Sequence, residues 1–265
     1  MKKPHLIALG VIGVLIFAVV GVIALRNSSN SAVTEEPSQK RKIQEPVNVI
    51  PVAERPYVQI TPVADGRNIQ IIVKALNKPA TEVEYELEYQ AGTLLQGIFG
   101  LIELSDIPSQ VTELLGSCSA GGKCSYHEDV KGGTLLLRFV GPENYVVKQD
   151  WKYIDNSEGE AAISSKDAKF QLVSEDIADQ KYAVIYNSPG VPEGLVGTMV
   201  SDPYSLAVSS SLSGQGTLTM RAAEEGNLTI MGWDGEAWQA FEGEVEGKMI
   251  TAEVELVELY VVVTQ

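Results

Sequence analysis

Apolar and polar residues alternate with a period of two along most of the chain after residue 56. The clearest case is Thr81–Gln90, in which apolar and acidic side chains take alternate places: Val83, Tyr85, Leu87 and Tyr89 against Glu82, Glu84, Glu86 and Glu88. A β-strand with this spacing turns one set towards a core and the other towards water, whereas a helix scatters both sets around its axis. Segments 69–75, 135–139, 145–151 and 250–256 alternate in the same way, so we predict a strand in each.

Turn-forming dipeptides separate these strands. Asp234-Gly235 lies between the predicted strands Leu228–Trp233 and Glu236–Phe241, and it predicts a hairpin turn with positive φ at both positions. No segment keeps a 3.6-residue period, and 92–115 is the segment with the least regular pattern. Many short strands with frequent turns are typical of antiparallel sandwiches. The polar segment 156–165 is poor in strand-forming residues. We therefore predict an all-β fold with two antiparallel β-sandwich (Ig-like) domains, 56–155 and 166–265, joined by a linker at 156–165.

The N-terminal residues differ from the rest of the chain. Lys2 and Lys3 precede Leu6–Leu25, a run without charged residues that is long enough to cross a bilayer as a helix. The run ends without the small-residue pattern of a cleavage site. We therefore predict a transmembrane signal anchor at 6–25, a cytoplasmic tail at 1–5 and a flexible linker at 26–55. A cleaved signal peptide is the alternative.

The orientation of this anchor rests on two opposing observations. Lys2 and Lys3 favour a cytoplasmic N-terminus, whereas Arg26 and the basic run Lys40–Lys42 favour the reverse. The order of basic pair, apolar run and polar spacer is that of an export signal, and a cysteine pair suits an oxidising compartment. We expect a single-pass protein of the cell membrane with a cytoplasmic N-terminus and extracytoplasmic C-terminal domains.

The charge of the chain limits its partners. The formal net charge is −15, and residues 27–265 alone carry 17 basic and 35 acidic side chains. Such an acidic surface argues against nucleic acid as a partner, because phosphate binding needs clustered positive charge. We expect the lipid bilayer to be a partner through the N-terminal helix, together with an unidentified envelope protein or glycan.

The two cysteines, Cys118 and Cys124, are separated by five residues that include two glycines. This spacing suits a disulfide across a hairpin tip, and no other cysteine is present to complete a metal site. His127 follows the hairpin and is interpreted as a surface or turn residue. No G-x-S-x-G motif surrounds any serine. We therefore assign no catalytic, cofactor-binding or metal-binding residue.

Three further groups of residues have a structural and a functional interpretation. The glutamates from Glu82 to Glu88 suit the solvated face of a strand, with a cation or a cationic partner as the alternative. Segment Asp155–Glu160 resembles a Ca²⁺ loop, but Glu160 stands where that loop needs glycine, so calcium is only the alternative to a polar turn. Trp233 and Trp238 flank the Asp-Gly turn and are interpreted as a cross-strand aromatic pair, with a sugar-stacking platform as the alternative.

Several segments of the C-terminal hundred residues resemble ZU5-like β-domains of prokaryotic surface proteins. They are Phe170–Leu172, Tyr182–Tyr186, Ser201–Tyr204, Gly216–Met220, Leu228–Trp238 and Ile250–Val254. Related domains often end in Phe-Ser-x-Tyr-Ala, in place of which this chain has Val257–Tyr260. Leu115–Cys118 and Gly132–Leu135 resemble parts of uncharacterised domains of bacterial membrane-anchored proteins. Both resemblances imply extracellular β-modules that present, space or bind, without catalytic residues.

These observations predict a membrane-anchored cell-envelope protein with two extracytoplasmic β-sandwich domains. Its expected role is non-catalytic, in binding, adhesion or envelope structure. Two alternatives remain: an exported carboxylate-based hydrolase of cell-wall polymer, and an accessory subunit of an envelope secretion or pilus-like machine.

Overall fold

A computed structural model describes residues 46–265, and nearly all of their regular structure is β. The predicted cytoplasmic tail, the anchor from Leu6 to Leu25 and most of the first linker lie outside the described residues. Within residues 46–265, no helix has the length and apolar character needed to cross a membrane. The helical structure there consists of a 3-10 turn at Val52–Glu54 and one short helix, α1 (Glu175–Ala178).

The largest sheet has ten strands, numbered here in chain order with those of the other sheets. They are β3 (Glu82–Ala91), β4 (Leu94–Glu103), β8 (Val130–Val140), β9 (Tyr145–Asp155), β12 (Tyr182–Asn187), β13 (Thr198–Met199), β14 (Tyr204–Val208), β16 (Leu228–Trp233), β17 (Trp238–Phe241) and β20 (Leu259–Thr264). Their order in space is β17-β16-β20-β14-β12-β9-β8-β3-β4, with β13 also paired to β20. The sheet therefore ends at β4 on one side and at β17 on the other.

Two smaller sheets and a hairpin complete the described structure. A three-stranded sheet contains β1 (Tyr57–Pro62), β2 (Asn68–Ala75) and β5 (Ser109–Leu114). A five-stranded sheet contains β10 (Ala162–Ser164), β11 (Phe170–Val173), β15 (Gln215–Arg221), β18 (Glu244–Glu246) and β19 (Met249–Glu255). The hairpin pairs β6 (Gly116–Cys118) with β7 (Cys124–Tyr126). Neighbouring strands pair antiparallel in each sheet, which confirms the predicted all-β, antiparallel class.

Strand β12 contributes to two hydrophobic cores. Val184 and Tyr186 pack into a first core with residues of β1, β2, β3, β8 and β9. Ala183 and Ile185 pack into a second core with residues of β11, β14, β15, β16, β19 and β20. Successive side chains of a strand point to opposite faces, so the three-stranded and five-stranded sheets cover opposite faces of the long sheet. Each small sheet covers a different half of it.

The long sheet runs without a break past the linker predicted at 156–165. Strand β9 precedes that segment and β12 follows it, and the two pair directly from Tyr182 opposite Asp155 to Tyr186 opposite Trp151. The predicted linker itself contains β10. The division into two Ig-like domains stays a prediction, whereas the presence of two cores on one sheet is observed.

The hairpin predicted at Asp234-Gly235 forms, but its turn differs in detail from the prediction. Gly235 has a φ of 109°, whereas Asp234 does not have a positive φ. The connection spans Asp234–Ala237, and one oxygen of the Asp234 carboxylate accepts hydrogen bonds from the N–H groups of Glu236 and Ala237, both at 2.8 Å. A side-chain-stabilised turn of this kind does not need a left-handed aspartate.

Candidate binding edge

Strand β4 forms one edge of the long sheet. It pairs with β3 over its whole length, from Ala91 opposite Leu94 to Glu82 opposite Glu103. Within residues 46–265, no strand pairs with its other side. Every second backbone N–H and C=O of β4 therefore points away from the sheet, which is the arrangement that accepts an added strand.

This edge is also apolar and exposed. Leu94, Leu95, Phe99 and Leu101 have relative exposures of 64%, 67%, 69% and 46%, and they make up four of the eleven exposed large hydrophobic residues among those described. Native edge strands are usually protected by charged residues, proline or short length. Strand β4 spans ten residues and carries one charged side chain, Glu103. Its composition is therefore typical of an interaction surface and not of a protected edge.

The register explains why three of these side chains share one face. Leu95, Phe99 and Leu101 lie opposite Gln90, Glu86 and Glu84 of β3. Directly opposed residues in neighbouring strands project to the same side of a sheet. The apolar residues of β4 therefore extend from the same face as the glutamates, which is not the face that packs into the first core.

The inner face of β4 is fixed by a tyrosine of the neighbouring strand. Tyr85 lies opposite Gly100, and a Cβ atom at position 100 would overlap its hydroxyl group. That hydroxyl donates a hydrogen bond to the Glu113 carboxylate on β5. Burial, together with this contact to Glu113, raises the pKa of Tyr85 well above its usual value, so Tyr85 stays protonated as a donor. Tyr85 thus links the edge of the long sheet to the three-stranded sheet.

The glutamate row on β3 is only partly compensated by positive charge. Glu86 lies 3.8 Å from the guanidinium of Arg138, and Glu88 lies 3.5 Å from the ammonium of Lys148. At the other end of the row, Glu82 lies opposite Glu103, and neither forms an ion pair with another described residue. Like charges directly opposite each other destabilise a strand pair. The apolar edge therefore ends beside an uncompensated pair of carboxylates.

The disulfide predicted between Cys118 and Cys124 is present and joins β6 to β7. His127 lies just beyond this hairpin, where its Nδ1 atom and the hydroxyl of Tyr89 form a hydrogen bond of 2.8 Å. Burial raises the pKa of Tyr89 to about 12. The structure thus places His127 against a core tyrosine, and a tyrosine hydroxyl is not a nucleophile of the serine or cysteine hydrolase type.

The remaining residues singled out in the sequence lie on other strands. Trp233 and Trp238 are opposed across β16 and β17, with ring centroids 5.5 Å apart. In Asp155–Glu160, the Asp155 carboxylate accepts hydrogen bonds from Ser157, and the Asn156 side chain donates to the carbonyl of Glu160. Among residues 46–265, no three His, Cys, Asp or Glu side chains are grouped so that they could hold a metal ion.

The sequence pattern does not predict the exposed residues of β4, because Leu94–Leu104 is apolar without regular alternation. The feature that could have predicted their positions is the short turn between β3 and β4. Gly92 takes a φ of 54° in the short connection between the strands, and this turn sets the register that places Phe99 beside Glu86.

Fold and site together place residues 46–265 in the all-β class, with an apolar sheet edge at β4 whose outer side pairs with no strand of that range. Comparison of the chain with models of protein families, with curated proteins and with solved structures finds no match. The resemblance to ZU5-like domains therefore stays a prediction from the sequence.

Proposed function

We propose that this chain is a membrane-anchored envelope protein whose extracytoplasmic β-sandwich domains bind a partner protein through strand β4, without catalysis. The observation that carries the binding role is the exposure of Leu95, Phe99 and Leu101 on β4, whose outer side pairs with no other strand among residues 46–265. The envelope location rests on the apolar run Leu6–Leu25 and on the disulfide. The two Ig-like domains belong to the same proposal, supported by the two separate cores.

The partner is an extended segment that adds a strand to β4. Its main-chain groups pair with the free groups of β4, and its apolar side chains pack on Leu95, Phe99 and Leu101. Beside the Glu103 end of β4, this segment carries a lysine or arginine that compensates the negative charge of Glu82 and Glu103. A second copy of the chain fits this charge pattern less well, because residues 46–265 contain 32 acidic and 14 basic side chains.

The direct test uses the full chain in a mild detergent and a fluorescent peptide, Lys-Thr-Val-Thr-Val-Thr-Val-Thr-Lys. In an extended conformation, its valines and lysines share one face. Fluorescence anisotropy should show binding, and a peptide with both lysines replaced by glutamate should bind at least about tenfold more weakly at low salt. The Glu103→Lys variant should show a reduced or reversed preference for the lysine peptide over the glutamate peptide.

Two variants locate the site. Phe99→Lys should weaken binding of the lysine peptide by at least about tenfold, since it removes an apolar contact and places a cation at the edge. Val196→Lys is the matched control, because Val196 is 74% exposed and lies outside β4. The proposal would be overturned if the Phe99→Lys variant bound the lysine peptide as tightly as the wild-type chain does. It would also be overturned if the wild-type chain bound the lysine and glutamate peptides equally. A dimer, detected by sedimentation, that Phe99→Lys dissociates would overturn it too, because the occupant would then be a second copy.

A further inference from the structure

A cleft of 510 Å³ lies away from β4, and its lining is basic in an acidic molecule. Four of the 14 lysines and arginines among residues 46–265 line it, with a single acidic residue, Asp202. These four are Arg55, Lys169, Arg221 and Lys248. By contrast, a second cleft at the end of β19 is lined by Asp234, Glu255 and Glu258, without a basic residue.

The fold brings three of the cations together at one end of the five-stranded sheet. The N–H of Arg221 donates to the carbonyl of Lys169 at 2.9 Å, and the N–H of Ala222 donates to the carbonyl of Lys248 at 2.8 Å. The three basic residues therefore stand at the ends of three adjacent strands, β11, β15 and β19. Neighbouring like charges on a sheet repel each other, so this arrangement favours an anion between them.

The contacts of these side chains leave positive charge uncompensated. Lys169 is paired with Asp202 at 2.9 Å and with Asp167 at 3.5 Å. Lys248 donates to the carbonyl of Ala223 at 2.6 Å, which neutralises no charge. The side chain of Arg221 is exposed and has no hydrogen-bond or ion-pair partner among the described residues.

Arg55, the fourth cation, also lines the cleft. Its Nε and Nη2 atoms donate to the carbonyls of Ile50 and Asn48, at 3.0 and 2.7 Å, which hold the guanidinium in place. Burial lowers the pKa of Arg55, and the nearby Asp202 carboxylate partly offsets that effect. The guanidinium is thus a positioned, partly desolvated cation whose remaining N–H groups are suited to an oxyanion.

We infer that this cleft binds the oxyanion group, carboxylate or phosphate, of a small organic molecule, held by Arg55, Arg221 and Lys248. The volume lies in the range of small-molecule sites. Val52, Met199 and Pro203 supply apolar wall for the uncharged part of the ligand. The inference does not depend on the role proposed for β4.

The test is calorimetric titration of the full chain in detergent with four probes: glycerol 3-phosphate, glucuronate, glycerol and glucose. At least one of the two oxyanions should bind, whereas the neutral compounds should not. Binding of glycerol 3-phosphate alone assigns a phosphate ligand, and binding of glucuronate alone assigns a carboxylate. Added sodium chloride should weaken the interaction.

Variants then locate the anion. Arg221→Gln and Lys248→Gln should each raise the dissociation constant by about tenfold, because each removes one charge from the cleft. Both residues are exposed, so the fold should tolerate the changes. Lys123→Gln, on the disulfide hairpin, is the matched control and should bind normally. Absence of oxyanion binding, or binding that survives both cleft variants unchanged, would refute the inference.

Discussion

Val184 and Ile185 are consecutive residues of β12, yet their side chains belong to two different hydrophobic cores. Both side chains are buried, with relative exposures of 0% and 2%. The strand that holds them runs between β9 and β14, near the middle of the long sheet. A substitution in this strand therefore affects packing in both halves of the described structure.

We predict that residues 46–265 unfold in one cooperative transition because the two cores share β12. Ile185→Ala should lower the free energy of unfolding by about 2–5 kcal/mol, since it leaves a cavity in the second core. The unfolding midpoint measured by the fluorescence of Trp151, which lies in the first core, should shift together with the midpoint measured by circular dichroism. Val173→Ala, at a residue that is 53% exposed, serves as the control and should change stability by less than about 0.5 kcal/mol. Two separate transitions would contradict this prediction.

Gly100 gives a second prediction, because an added methyl group there would overlap Tyr85. Gly100→Ala should destabilise the protein by about 1–3 kcal/mol and displace the Tyr85 hydroxyl from Glu113. Gly97 lies on the same strand, and its nearest neighbour is the exposed side chain of Phe99 at 3.3 Å. Gly97→Ala should therefore be nearly neutral. Chemical denaturation of both variants measures the difference, and equal stabilities would show that Tyr85 does not need the space at Gly100.

Asp167 gives a prediction about pH. Burial tends to raise the pKa of this carboxyl, but hydrogen bonds from Ser165, Tyr204 and the N–H of Lys169 outweigh it, so the pKa lies below the ordinary 3.8. A depressed folded-state pKa stabilises the fold above the unfolded-state value, and the contribution is lost as pH falls through the folded-state pKa. Wild-type protein should therefore lose stability below about pH 4.

Asp167→Asn should test this assignment. The variant should be less stable than wild type by about 1–3 kcal/mol at neutral pH, because charged hydrogen bonds are replaced by weaker ones. It should also lose less stability between neutral pH and pH 3. Thermal unfolding at both pH values measures the two effects. An unchanged slope with pH would assign the acid sensitivity to other carboxylates.

The disulfide gives a prediction about a local element. Replacement of both Cys118 and Cys124 by serine should cost about 2 kcal/mol, at the low end for disulfides because the closed loop is short. The β6–β7 hairpin should become more accessible to proteases while the two cores persist. Alkylation without prior reduction should modify neither cysteine, and modification of both would show free thiols in the isolated protein.

The period of two in the sequence was sufficient to predict the class of fold and the strand β3, whose glutamates lie outside the first core as expected. It could not predict the order of strands. The apolar run Tyr182–Tyr186 is typical of a strand buried on both faces. Only the paired structure shows that its neighbours are β9 and β14, one from each predicted domain. Strand order depends on long-range pairing, which local alternation does not encode.

This limit applies to only one of the two proposed binding regions. The exposure of Phe99 depends on its register against Glu86, which a short turn determines locally, so it could have been predicted. The basic cleft could not, since Arg55, Lys169, Arg221 and Lys248 are scattered along the chain. They come together only because β11, β15 and β19 are neighbours and because the fold brings Arg55 to the same cleft.

The position of β20 has a consequence for biosynthesis. This strand lies inside the long sheet between β14 and β16, and Tyr260 and Val262 belong to the second core. The most C-terminal residues of the first core, by contrast, are Val184 and Tyr186. As the ribosome extends the chain, every residue of the first core has therefore been synthesised about 80 residues before the end of β20. Until then, the side chains of β14 and β16 that belong to the second core lack their contacts with β20.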